Sequence, residues 1–102
     1  MIEKNKEVSP MRHHILVKWN DTMPHPDIAP IRALFLETLR IPGIQDISLY
    51  PNIIHRPNRY DLMIVIAMEK EALPAYDASE PHHRWKETYG QYIASKAIFD
   101  CE

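Results

Sequence analysis

The sequence of 102 residues is poor in cysteine, glycine and clustered positive charge. Its one cysteine, Cys101, has no partner for an internal disulfide, which is typical of the reducing cytoplasm. The formal net charge of −2 and the absence of a basic run argue against a nucleic-acid surface. No apolar stretch approaches the roughly 20 residues of a membrane span, and no signal-like segment is visible. We therefore expect a cytoplasmic protein with neither nucleic acid nor membrane as a partner.

The apolar pattern predicts one α+β domain over residues 11–102, preceded by a polar, flexible extension over residues 1–10. Alternation or continuous β-branched content predicts strands, and apolar residues at helical spacing predict helices. Asp27 is the expected N-cap of the first helix, after a proline-broken loop over residues 20–27. The predicted strands cover residues 11–19, 44–54, 60–68 and 96–100, and the predicted helices cover residues 28–40, 69–76 and 81–93.

The order of these elements is βαββαβ, which is the ferredoxin-like arrangement of a four-stranded antiparallel sheet with helices on one face. The second face of the sheet is then left without a cover. An apolar face of this size would be several hundred Å², more than a monomer usually exposes. We therefore predict a homodimer in which two sheets meet as a dimeric α/β barrel. The residues expected on this face are Leu16, Leu62, Ile64, Ile66, Ala97 and Phe99.

Six short segments, in order and near-constant in spacing, resemble the stress-responsive A/B-barrel (Dabb) family of dimeric α/β-barrel proteins. The resemblance extends from Met11 to Glu102. The matching segments are Arg12-His-His-Ile-Leu-Val-Lys-Trp19, Ile41-Pro-Gly-Ile44, Tyr60-Asp61, Leu73-Pro-Ala-Tyr76, His82 with Trp85, and Ile98-Phe-Asp100.

The resemblance also implies a site. Cyclases of the olivetolic acid cyclase type in this family use a tyrosine and a histidine six residues later, and Tyr76 and His82 keep that spacing. His13 matches a cavity-lining histidine of the first strand. Two features depart from the family pattern: the segment Ser79-Glu-Pro-His82 replaces His-Pro-x-His, and Asp61 stands where the cyclase has a histidine. The departures mean that the shared fold does not carry the cyclase reaction across.

Strand alternation and the family geometry predict an apolar cavity between the sheet and the helices. We expect His82 to act there as a general base and Tyr76 to hydrogen-bond a developing enolate oxygen. These two are the candidate catalytic residues. The residues expected to line the pocket are His13, Ile15, Val17, Leu34, Ile47, Asp61, Met63, Trp85, Ile98 and Asp100.

Each of the main candidates also has a purely structural interpretation. His82 would be a capped surface residue at a helix start, and Tyr76 a ring that ends a short helix in the core. His13 would be a core histidine hydrogen-bonded to Asp100. Trp85 would be a packing residue, which is the commoner role of a tryptophan on a helix.

The histidines do not have the spacing of a metal site. His13 and His14 are strand neighbours that point to opposite faces, and His82 and His83 diverge on a helix. A site built from His13, His82 and Asp61 remains geometrically possible. There is no glycine-rich phosphate loop, and we expect no cofactor.

The leading hypothesis is a homodimer that binds a small aromatic or polyketide-like molecule, with cofactor-independent acid–base catalysis of the cyclase or isomerase type as its candidate activity. One alternative is a non-catalytic, stress-responsive dimer with a stabilising or protein-protecting role, whose pocket is filled by Trp85 and Met63. Another is a cofactor-independent monooxygenase, which would consume oxygen with a quinol substrate.

Overall fold

The computed structural model describes residues 9–22 and 26–102. Residues 1–8 of the predicted extension and residues 23–25 of the predicted loop lie outside these ranges. The described strands are β1 (Pro10–Trp19), β2 (Ile44–Pro51), β3 (Leu62–Glu69) and β4 (Ile93–Cys101). The described α-helices are α1 (Ile28–Leu36), α2 (Leu73–Asp77) and α3 (Glu80–Tyr89), and one-turn 3-10 helices cover Glu37–Arg40, Lys70–Ala72 and Gly90–Tyr92.

The four strands form one antiparallel sheet in the order β2-β3-β1-β4. The helices cover one face of this sheet, so the predicted α+β ferredoxin-like fold is confirmed. The edge position of β2 agrees with its terminal Pro51, since proline donates no ladder hydrogen bond.

The covered face contains the alternate β3 residues Leu62, Ile64 and Ile66, which are at most 1% exposed. The prediction that these three residues lie on the open face is therefore wrong. Met63 occupies the open face instead, opposite Leu16 of β1. An uninterrupted apolar strand has no polar alternation, and nothing in its sequence tells which set of residues faces the helices.

Several helix and strand ends also differ from the predicted ones. The first α-helix ends at Leu36 and the last at Tyr89, because each continues as a 3-10 turn. β2 ends at Pro51 rather than continuing to residue 54. The predicted N-cap is confirmed, since the Asp27 carboxylate accepts a hydrogen bond of 3.1 Å from the backbone N–H of Ala29.

The open face has an apolar centre among polar side chains, which include Arg12, His14, Lys18 and Ser48, and its apolar members differ from the predicted set. Leu16, Ala97 and Phe99 do lie on it, as the β1–β4 register requires. Phe99 is 61% exposed, and Tyr50 of β2 is 53% exposed. The half-buried apolar residues of this face are Leu16, Met63, Val65, Ala67 and Ala97. Within the described residues, no helix is both long and apolar enough to cross a membrane.

Candidate functional site

A cavity of about 310 Å³ lies on the covered side of the sheet, where α2 and α3 meet β1 and β4. It is open toward solvent along β4, since Ile98 on its wall is 48% exposed. Apolar and polar groups share the wall, as in most sites for small organic molecules. The lining residues are His13, Ile15, Leu73, Tyr76, Asp77, His82, Trp85, Lys96, Ile98 and Asp100.

His13 is held in place by Asp100, the residue directly opposite it in the β1–β4 register. The imidazole is buried, with 6% exposure, and its Nδ1 lies 2.5 Å from the carboxylate Oδ1 of Asp100. A carboxylate can only accept, so Nδ1 carries the hydrogen and Nε2 is the nitrogen left for a further contact. His13 is therefore a core histidine paired with Asp100, as one interpretation of the sequence had it, and it also lines the cavity.

Tyr76 stands between the two cavity imidazoles. Its ring centroid lies 5.5 Å from that of His13 and 4.9 Å from that of His82. The side chain is 1% exposed, and its hydroxyl has no hydrogen-bond partner among the residues that the structure describes. Burial, reinforced by the nearby Asp77 carboxylate, raises the pKa of the Tyr76 phenol, so the group stays protonated and can donate.

His82 is positioned by the start of α3. The Ser79 hydroxyl accepts a hydrogen bond of 3.3 Å from the backbone N–H of His82 and donates one of 2.7 Å to the carbonyl of Tyr76. The His82 Nδ1 lies 2.9 Å from the carbonyl oxygen of Asp77. Because a carbonyl only accepts, Nδ1 is the protonated nitrogen, and Nε2 carries the free lone pair of the neutral ring.

The surroundings of His82 favour this neutral form. Partial burial lowers the pKa of the imidazole, and the positive charges of Lys86 and Lys96 lower it further. The Asp77 carbonyl and carboxylate oppose this change but do not reverse its direction. A neutral histidine with an available Nε2 is the form that can accept a proton.

Trp85 forms the inner wall of the cavity and is packed among other aromatic rings. Its ring centroid lies 5.0 Å from Phe35, 5.2 Å from Tyr89 and 6.3 Å from Trp19. Arg84, the residue before it, donates hydrogen bonds of 2.7 and 2.9 Å to the two carboxylate oxygens of Glu37. These contacts join α3 to the 3-10 turn that follows α1, and they thereby fix the position of the helix that carries His82.

Five of the expected pocket residues do not line this cavity. Val17, Leu34 and Ile47 pack in the core beneath it or beside it. The Asp61 carboxylate accepts a hydrogen bond of 2.8 Å from the backbone N–H of Trp19 and lines a separate hollow. Met63 lies on the open face of the sheet and cannot fill the cavity. The placement of Met63 beside His13 was wrong because the alternation was continued through an apolar strand whose phase the sequence leaves undetermined. Asp61 precedes β3, and its carboxylate binds the Trp19 backbone instead of lining the cavity.

Three lining residues, Leu73, Asp77 and Lys96, were not predicted from the sequence. Lys96 had a detectable signal, because it precedes Ile98 and Asp100 by two and four positions and therefore shares their face of β4. Asp77 contributes its backbone carbonyl to His82, and a backbone contact of this kind leaves no mark in the residue pattern. Over residues 9–22 and 26–102, no group of three or more histidine, cysteine, aspartate or glutamate side chains has the arrangement of a metal site.

A single antiparallel sheet with helices on one face is the ferredoxin-like fold. No family model matches the chain, and no curated protein matches it. Solved structures do match. A dimeric ferredoxin-like protein of unknown function from Thermobifida fusca YX is 21% identical, with a TM-score of 0.77 and coverage of 97% of each chain.

Two further solved structures share the fold. A Dabb family protein from Mesorhizobium loti MAFF303099 is 11% identical, with a TM-score of 0.62 and coverage of 91% of this chain and 95% of that one. A hydroxynitrile lyase from Passiflora edulis is 10% identical, with a TM-score of 0.71 and coverage of 90% and 91%. At these identities the likeness concerns the fold, which is the one that the resemblance to the Dabb family predicted.

Proposed function

We propose that this protein binds a small aromatic or polyketide-like molecule in the cavity and catalyses proton transfer on it without a cofactor. The observation that carries the proposal is the Tyr76 hydroxyl, which is buried on the cavity wall without a hydrogen-bond partner in the described part of the chain. A buried polar group left unpaired costs about 1–3 kcal/mol, so such a group calls for a partner. A ligand oxygen supplies one once the side chains that cover the hydroxyl move aside.

The two groups beside the cavity suit opposite halves of one reaction. His82 Nε2 accepts a proton from a carbon next to a carbonyl group. The electron pair of that C–H bond forms a carbon–carbon double bond, and the π electrons of the carbonyl group move onto its oxygen. The protonated Tyr76 phenol donates a hydrogen bond to this developing oxyanion. Return of the proton from His82 to another position gives an isomerisation. Attack of the carbanion on a second carbonyl group of the same molecule gives a cyclisation, in which the new alkoxide oxygen takes the proton back from His82.

We also propose that the working form is a homodimer joined through the open sheet face. An exposed apolar sheet face is unusual for a monomer, and Tyr50 and Phe99 stand out on it. The Thermobifida fusca protein of the same fold is described as dimeric. Two such faces packed together give the barrel-like core predicted from the sequence.

The cavity volume favours ligand binding over the alternative of a filled pocket. A cavity of about 310 Å³ is roughly ten times the volume that one water molecule occupies in the liquid. Trp85 forms a wall rather than a plug, and Met63 lies on the other face. The alternative of a non-catalytic protective dimer predicted a pocket filled by Trp85 and Met63, and neither residue fills the cavity.

Deuterium exchange tests the proposed reaction without knowledge of the natural substrate. In D₂O, we expect the protein to accelerate exchange of the methyl protons of acetophenone, followed by proton NMR. The His82→Gln variant should lose roughly 10²- to 10⁴-fold of this acceleration, the usual contribution of a general base. The Tyr76→Phe variant should lose about 10²- to 10³-fold, the usual contribution of one oxyanion donor.

The exchange rate should also depend on pH through His82. Because the pKa of His82 is lowered, the exchange rate should stay constant below the pH at which an ordinary histidine becomes protonated.

His83→Gln is the matched control, since His83 is the exposed neighbour of His82 and does not line the cavity. Its exchange rate should equal that of the wild type. Equal losses in the His82 and His83 variants, or unchanged rates in both the His82 and Tyr76 variants, would dismiss this site. Binding of acetophenone without exchange would reduce the proposal to ligand binding alone.

A further inference from the structure

Lys96 is a cation on the cavity wall that the proposed proton transfer does not use. It lies opposite Val17 in the β1–β4 register, and Val17 is fully buried on the covered face. The Lys96 side chain therefore leaves the strand on the same side as Ile98 and Asp100. It is exposed, which places it at the mouth of the cavity rather than in its depth.

The positive charge of Lys96 acts on His82 in the cavity and is not neutralised by any side chain that the structure describes. Within residues 9–22 and 26–102, no side chain forms a hydrogen bond or ion pair with it. A surface lysine needs no partner in general. Lys96 differs from such a residue because it lines the same cavity as His82, and its charge lowers the pKa of that imidazole.

The carboxylates around the cavity determine how an anionic ligand would be oriented. Asp100 lies four residues along β4, roughly 13 Å away, and its carboxylate is taken up by His13. Asp77 lies beside His82 at the end of α2. A second negative group is repelled near either aspartate and attracted toward the cations Lys86 and Lys96, of which only Lys96 lines the cavity. An anionic ligand is thereby oriented, with its acidic group at the mouth and its apolar part against Ile98 and Trp85.

We infer that Lys96 recognises the acidic group of the substrate, so that the cavity takes small aromatic carboxylates in preference to neutral compounds of the same shape. The inference rests on the proposed function, because it concerns the ligand of the same cavity. The acidic group pairs with the Lys96 ammonium group, and the remainder of the molecule reaches toward Tyr76 and His82.

Calorimetric titration with benzoate and benzamide tests this preference, because the two probes have nearly the same shape and differ in charge. We expect the wild type to bind benzoate roughly twofold to fivefold more tightly than benzamide, the range of an ion pair with an exposed lysine. The Lys96→Met variant should lose this difference while its affinity for benzamide stays the same. Lys96→Arg should restore most of it, and added salt should diminish it.

Lys86→Met is the matched control. Lys86 is an exposed lysine of α3 whose charge also lowers the pKa of His82, but it does not line the cavity. The Lys86 variant should keep the preference for benzoate. Equal wild-type affinities for the two probes, or equal effects of the Lys86 and Lys96 substitutions, would overturn the inference. Acetophenone exchange with no benzoate preference would remove only this inference, and a Lys96-dependent preference without exchange would remove only the proposed reaction.

Discussion

Gly43 shows at the scale of one residue how the loop before β2 depends on the absence of a side chain. Its φ of +94° lies in the region that residues with a Cβ rarely adopt. A Cβ added there would lie 2.9 Å from the Cβ of Ala72, which is closer than real contacts allow. Gly43 also accepts a backbone hydrogen bond of 2.8 Å from Glu69, so the segment has little freedom to shift.

We therefore expect Gly43→Ala to lower the free energy of unfolding by roughly 2–4 kcal/mol, from backbone strain and overpacking together. Urea denaturation followed by circular dichroism measures this change. Gly90→Ala is the control, because Gly90 has a helical φ of −54° and nothing lies within 4 Å of the added Cβ. The control should be neutral or stabilising by about 0.5 kcal/mol. A Gly43 variant as stable as the control would show that the loop adapts.

The residues of the candidate site were predictable to different degrees. The spacing of Tyr76 and His82 and the pairing of His13 with Asp100 could be inferred from the sequence, because one follows from a family resemblance and the other from strand alternation. The unpaired state of the Tyr76 hydroxyl could not, since it depends on what every neighbouring side chain does. The cavity roles of these residues remain proposals.

Helix α3 shows at the scale of the element how a cap positions a functional side chain. Ser79 caps the helix through the backbone of His82 and is tied to the carbonyl of Tyr76. Ser79→Ala should cost about 1 kcal/mol of stability, the usual value for a lost N-cap. It should also weaken benzoate binding and acetophenone exchange, because it frees the turn that joins Tyr76 to His82.

Asp27→Ala provides the comparison, since Asp27 caps α1, and neither it nor α1 lines the cavity. Its stability loss should be similar, while ligand affinity and exchange rate should be unchanged. Thermal unfolding gives the first quantity, and calorimetry with NMR exchange gives the other two. Loss of function in both variants would mean that general stability, rather than the Ser79 turn, governs the site.

The strands show which features of the elements could be predicted from the sequence and which could not. The type and order of the elements followed from the periodicity of apolar residues, as in β1, where buried and half-buried residues alternate along the strand. β3 is apolar at nearly every position, so the same reasoning predicted the strand but assigned Leu62 and Met63 to the wrong faces. Such a strand acquires its phase from its neighbours, here from the register that sets Ile15 opposite Ile64.

At the scale of the whole molecule, the predicted homodimer is tested by measuring the state of association. We expect sedimentation equilibrium at micromolar concentration to give the mass of two chains. Phe99→Glu should shift the protein to single chains or to insoluble material, because it places a charge in an apolar sheet contact. Leu36→Glu is the control, since Leu36 is 44% exposed on the helical side. A wild type that is fully soluble as a single chain would contradict the dimer.

Strand β4 belongs to two surfaces at once. Ile98 and Phe99 are consecutive, yet one borders the cavity and the other stands on the open sheet face. A ligand in the cavity would contact Ile98, and a second chain on the open face would contact Phe99. The two binding sites would then be separated only by the backbone of β4. Thermodynamic reciprocity then requires that any tightening of one association by the other be returned in equal measure. A coupling of this kind would make the occupancy of the cavity measurable as a change in the dissociation constant of the dimer.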